Sequence, residues 1–173
     1  MTVAGGSAAR HRWVQAALWL LGGLWAARSL QSFSDPDFTS PGSVGDWFAV
    51  ASISAALGLL PVGVAILLHG SGLGPWTVRS LSLASVVTAC TAALANVLED
   101  GFGISSAGAV YFAGVVGTLL VLLAAAAGLA VRGPRVLTLI PIATVVGIVN
   151  LERAGGLLVL VAWGCLALRL RPT

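Results

Sequence analysis

Charge is what this chain has least of. Nine basic and six acidic side chains punctuate 173 residues that are 58% hydrophobic, and all nine basic residues are arginine, with no lysine. Nearly all of these charges fall in short gaps between long apolar runs. That spacing excludes an ordinary soluble surface and is the layout of a polytopic membrane protein. The mean hydropathy of +1.00 points the same way. No linker or shift in composition divides the chain, so it reads as one integral membrane domain over residues 1–173. The absence of lysine, beside abundant Ala, Gly, Val and Leu, fits a GC-rich bacterial genome.

Other absences exclude chemistries. No basic run with interleaved aromatics occurs, and the arginines lie beside apolar spans, so the pI near 9.7 reflects membrane topology and not nucleic-acid binding. Cys90 and Cys165 have neither a CxxC partner nor a nearby His/Cys set, so they read as structural thiols. No HExxH-type set is present, and neither His11 nor His69 lies at a depth suited to a Ser/His hydrolase or to a haem held by two histidines. Catalytic residues, metal ligands and cofactors are therefore not expected. The one enzymatic reading, Glu99, Asp100 and Glu152 as an acid/base set on a lipid headgroup, rests on spacing alone.

What the chain does have is six apolar segments, near 13–30, 47–68, 78–98, 108–131, 136–150 and 155–170. The first follows Arg10, His11 and Arg12, as the core of a secretory signal does. Bulky Trp19 and Trp25 within it, and a poor small-x-small pattern at Trp25-Ala26-Ala27, favour a retained anchor helix. The stretch from Ser32 to Asp46, broken by Pro36, Pro41, Gly42 and Gly45, reads as an exposed loop. Pro61 sits inside the second segment, where neighbouring helices can satisfy the carbonyl it frees. The last two segments fall short of the ~20 residues a span needs. Joined as one helix, they would bury Glu152 and Arg153 mid-membrane.

The arginines arbitrate. With six spans and a cytoplasmic N-terminus, the inner gaps hold Arg10, Arg12, Arg79, Arg132, Arg135, Arg169 and Arg171, with both histidines. The outer gaps hold all the acids, Asp35, Asp37, Asp46, Glu99, Asp100 and Glu152, with Arg28 and Arg153 as their only basic residues. This is the positive-inside bias. A five-span chain would place Arg169 and Arg171 outside. The expected fold is therefore an all-α, six-span transmembrane bundle in a bacterial cytoplasmic membrane, both termini inside, its short last pair tilted or partly re-entrant. Trp13, Trp47, Trp76 and Trp163 fall near span ends, as an aromatic belt would.

Two features locate a candidate site. On the third helix, Ser82, Ser85, Thr88, Ala89, Ala92, Asn96 and Glu99 share one face at about 100° per residue. A small, polar face is either one wall of an outward-opening cavity or a close helix-packing surface. Gly114 and Gly117 give the fourth helix a matching small surface. A weak repeat also pairs the run Asn96 to Gly101 with the run Asn150 to Gly155, each where a span reaches the outer face. Arg28, Glu99, Asp100, Glu152 and Arg153 then gather at the outer boundary, with Asn96 and Asn150 just beneath. Two arginines against three carboxylates permit an ion-pair network with one acid left over to titrate or to hold a cation.

The functional expectation is a multi-pass membrane protein that binds or transports a small polar solute or ion through this cluster. The alternative is a non-catalytic subunit or scaffold that packs against partner helices. Its expected partners are the lipid bilayer and either a second copy or another membrane protein.

Overall fold

The computed structural model describes residues 4–34 and 41–170. Asp35, Pro36 and Asp37 of the expected outer loop, Arg171, and the side chain of Arg10 lie outside the described residues. The described chain is all helical: α1 (Ala4–Ser34), α2 (Val44–Leu68), α3 (Pro75–Asn96), α4 (Ala107–Arg132), α5 (Leu139–Val149) and α6 (Gly155–Arg169). A widened π turn, Val97–Gly101, ends α3, and single 3-10 turns at Arg135–Thr138 and Leu151–Arg153 precede α5 and α6.

Local chemistry explains several boundaries. The α2 helix begins on a capping box: the Ser43 hydroxyl accepts from Asp46 N, while the Asp46 carboxylate accepts from Ser43 N at 2.7 Å and Gly42 N at 2.8 Å. Asp46 is thus a helix cap as well as an acid near the boundary. Pro75 occupies the first turn of α3, where its missing N–H leaves no bond unmade. Within the helices, Thr88, Thr118 and Thr144 return their hydroxyls to carbonyls one turn back, Ala84, Gly114 and Ile140 respectively. The segment 136–170 is not one helix. It reverses at Asn150–Ala154, where Ala154 adopts a left-handed φ of 63° and Gly155 N bonds back to Asn150 O at 2.9 Å.

Each helix packs against the next in sequence, and α6 closes back on α1, so the six form a ring. The closing seam is antiparallel. Gln15 donates to Ala167 O at 3.1 Å near one end, and Ser29 donates to Leu151 O near the other. Between them Gly22 lies against the Leu160 backbone and Gly156 against the Trp25 backbone, with no room for a Cβ at either. The core runs through the ring on Leu18, Leu21, Trp25, Leu57, Leu60, Val64, Leu122, Leu129, Val159 and Trp163. Trp163 is fully buried there and does not join a boundary belt, because Gly63 opens space for its ring: a Cβ at Gly63 would stand 3.0 Å from the indole. Trp13, Trp47 and Trp76 are exposed.

Large apolar side chains cover the outside of the ring, among them Leu83, Val87, Leu94, Phe112, Leu120, Val146 and Val161. Three helical stretches, Val44–Leu68, Pro75–Gly101 and Ala107–Arg132, are long and apolar enough to cross a membrane. Arg135–Val149 and Gly155–Arg169 are shorter apolar helices.

Candidate ligand site at the acidic end of the bundle

The alternation of helix directions sorts the described charges into two ends. Arg12, Arg79, Arg132, Arg135 and Arg169 lie at one, with His11 and His69; Arg28, Asp46, Glu99, Asp100, Glu152 and Arg153 lie at the other. The second is called the acidic end below. There the end of α1, the start of α2 and α4, and the α5–α6 turn enclose a cavity of about 550 Å³. Arg28, Ser32, Tyr111, Asn150, Glu152 and Arg153 supply its polar wall, and Ile53, Ile148, Val149 and Leu151 the apolar remainder.

Arg28 stands about two turns before the described end of α1 and is half-buried. Its guanidinium donates to Ser32 Oγ at 2.8 Å, and that hydroxyl donates to the Arg28 carbonyl at 3.2 Å, so the side chain is held by its own helix. The α1–α6 seam fixes its position from below: Ser29 donates to Leu151 O and accepts from Gly156 N at 3.3 Å, locking α1 to the turn that carries Glu152 and Arg153. Asp100, half-buried on the π turn, interacts electrostatically with Arg28. The phenol of Tyr111 feels Asp100, Arg28 and Glu99 together.

The structure brings some expected site residues together and separates others. Arg28, Asn150, Glu152 and Arg153 line the one cavity, with Asp100 close enough to act on Arg28. Glu152 and Arg153 are exposed at its rim. Asn150 caps the end of α5, donating to Val146 O at 2.8 Å, and its carbonyl accepts from Arg153 N and Gly155 N. Glu99 turns toward α4, where its carboxylate fills the space that the absent side chain of Gly108 leaves. Asn96 lies elsewhere: it is buried against α2, donating to Ser54 Oγ at 3.0 Å and to Val50 O at 3.4 Å.

The two stretches that the weak repeat pairs differ in conformation: after Asn96, which ties α3 to α2, the chain widens into a π turn, and after Asn150, which caps α5, it tightens into a 3-10 turn. The π turn also seats Phe102 edge-on against Trp47, ring centroids 6.5 Å apart, which joins the start of α2 to the end of α3.

The α3 stripe is mostly a packing surface. Ser85, Ala89 and Ala92 are buried, Gly114 leaves room for the Ala92 backbone, and Gly117 for the Thr88 methyl. Ser82 is half-buried in a separate groove between α2 and α3 that Arg79 also lines.

Tyr111 is the residue that sequence reasoning missed. It is the only tyrosine of the chain and sits one turn into α4 at the acidic end. That depth was the available signal. At the opposite end, His11 and His69 line one shallow, mostly apolar cavity of about 380 Å³. Among the described residues no three His, Cys, Asp or Glu side chains group so as to hold a metal ion. The chain matches no family model, and neither a curated protein nor a solved structure matches it.

Proposed function

We propose that this chain is a six-span protein of a bacterial cytoplasmic membrane, both termini cytoplasmic, that binds or transports a small charged or polar solute through the cavity at its acidic end. The observation that carries the reading is the half-buried Arg28 guanidinium on the wall of a 550 Å³ cavity that opens among Tyr111, Asn150, Glu152 and Arg153. An arginine within a membrane span is costly to place, and such residues face protein or water and mark solute paths. Its hydrogen bond goes to a neutral hydroxyl, Asp100 acts on it only electrostatically, and a guanidinium on a cavity wall suits a carboxylate or phosphate. The charge segregation supports the orientation, since the arginine-rich end belongs in the cytoplasm under the positive-inside bias.

Two experiments test this. Paired reporters at the C-terminus, one active only in the cytoplasm and one only outside, should report a cytoplasmic Thr173; an external one removes the orientation and the outward cavity with it. Thermal unfolding of purified protein in lipid nanodiscs should shift upward with acetate, inorganic phosphate or glycine, since a ligand at 100 times its Kd stabilises by about 2.7 kcal/mol. Arg28→Gln should lose the shift. Equal behaviour of the two proteins in every solute refutes the reading.

A second reading, a non-catalytic subunit, draws support from α3. Its stretch is the least covered of the three long helices, 28% buried against 50% and 39%, and Cys90 and Thr91 face outward there. A second copy or another membrane protein would pack on that face. Cross-linking across it in membranes decides the point.

A further inference from the structure

Directly below the acidic-end cavity lies a second, more enclosed chamber of about 130 Å³. Ile53, Tyr111, Ile148 and Leu151 line both spaces, so the two adjoin along these side chains, of which Tyr111 is the polar member. The stacking follows from helix geometry. Trp25 lines the lower chamber and Arg28 the upper, three residues apart on one face of α1, a rise of about 4.5 Å. On α2 and α4 a four-residue step does the same, from Ile53 and Tyr111, which line both spaces, to Leu57 and Val115, which line only the lower one.

The lower chamber has a particular chemistry. Leu57, Val115, Leu119 and Ile148 make it apolar, and the hydroxyl of Thr118, which also lines it, is already spent on its own helix. An engineered protein cavity of about 150 Å³ with similar walls stays dry and takes up benzene. Unlike that cavity, this one is walled by an indole, Trp25, whose N–H is buried with no acceptor among the described residues. A buried donor left unpaired is costly, and so is an empty apolar void. A ring in the chamber relieves the void, and its π face can serve the Trp25 N–H as a weak acceptor.

We propose that the ligand of the acidic-end cavity is a small amphipathic anion: a carboxylate held at Arg28 and Tyr111, carrying a compact apolar group of the size of one aromatic ring that enters the lower chamber beside Trp25. This rests on the cavity being a solute site, and it adds the class of solute. The one-turn offset between Arg28 and Trp25 matches a carboxylate one or two bonds from a ring. A membrane lipid does not fit, because an acyl chain of 16 carbons greatly exceeds the lower chamber. An inorganic anion leaves that chamber empty.

The test uses the full chain in nanodiscs, with empty nanodiscs subtracted, and four probes: phenylacetate, acetate, inorganic phosphate and toluene. Phenylacetate should bind at least tenfold more tightly than acetate or phosphate, because only it removes apolar surface from water. Arg28→Gln should weaken phenylacetate by roughly tenfold or more, the loss of a charge-assisted hydrogen bond, and leave toluene unchanged. Val115→Phe, which fills the chamber, should bring phenylacetate down to the level of acetate; Val115→Ile, a gentler filling, should give a smaller loss in the same direction, and monodisperse elution qualifies each variant.

The outcomes separate. If acetate and phenylacetate bind alike and both need Arg28, the chamber plays no part and the amphipathic ligand is wrong while the solute site stands. If phenylacetate binding ignores Arg28, the solute site itself falls, and this inference with it. If phosphate alone binds, through Arg28, the ligand is an inorganic anion and the amphipathic class is overturned.

Discussion

Gly156→Ala is the substitution that asks most of this architecture. On intrinsic helix propensity alone, replacing a helical glycine by alanine is favourable by about 1 kcal/mol. At Gly156 the new Cβ would stand 2.6 Å from the Trp25 carbonyl carbon and 2.7 Å from Ser29 Cβ, where ordinary contact begins at 3.4 Å. The obstacle is the backbone of α1, which has no rotamer to change. The Trp25 carbonyl oxygen is closer still, so relief requires α1 and α6 to part by about 1 Å or more, and a gap of 0.5–1 Å already forfeits about a quarter to a half of the dispersion attraction between the atoms concerned. It also pulls Gly156 N from Ser29 Oγ, already at 3.3 Å. Overpacking of this kind typically costs about 1–3 kcal/mol, and with a rigid opponent the upper part of that range applies. The net expectation is a loss of about 2 kcal/mol. Gly23, in α1, has nothing within 4 Å of where its Cβ would be, so Gly23→Ala is a control that keeps the propensity gain without the clash. Reversible unfolding in mixed lipid–detergent micelles should therefore show Gly156→Ala destabilised and Gly23→Ala neutral or stabilised. Equal stability of the two would refute the close α1–α6 seam.

Three further outcomes follow from particular contacts. Ala154 holds a left-handed φ of 63°, which costs an L-residue roughly 1–2 kcal/mol, so Ala154→Gly should raise the unfolding midpoint. Asn96→Ala removes the side chain that ties α3 to α2 and should lower stability by about 0.6–1.7 kcal/mol in the same assay, with no effect on solute binding at Arg28. Cys90 and Cys165 are free and lie on the outside of the ring within apolar helices, so in intact membranes a lipid-soluble maleimide should label both and a charged, impermeant thiol reagent neither. Labelling by the charged reagent would place that face in water.

Much of the fold was legible because hydropathy and charge act over whole segments. The apolar runs became helices, and the gaps that collected acids became one end of the bundle. The break at Asn150–Ala154 was readable because a continuous helix would have carried Glu152 and Arg153 inside it. What the sequence left open was the neighbour of each face. Periodicity placed Ser85, Ala92 and Asn96 together, but whether that face met water or a helix depended on Gly114, Gly117 and Ser54, which come from two other helices. Trp163 resembled a boundary tryptophan by its position near a span end; the space that buries it comes from Gly63, about a hundred residues earlier. Tyr111 carried no signal beyond its depth, since a single tyrosine in an apolar run has no partner to form a motif with. Of the residues expected to gather, Arg28, Asn150, Glu152 and Arg153 line one cavity while Asn96 and Glu99 turn to other helices, a division that depends on neighbours the periodicity does not name.

The ring closes between its first helix and its last. The α1 helix carries Gln15, three tryptophans and Arg28, and it is not among the stretches apolar enough to be identified as crossing a membrane unaided. It packs on α2, which follows it directly, but the Ala167 and Leu151 carbonyls and the close face of Gly156 are made at the far end of the chain. During synthesis α1 therefore meets α2 early, and its seam with α6 closes last. Contacts of such long sequence separation form slowly. The docking that closes the ring thus also completes the wall behind Arg28.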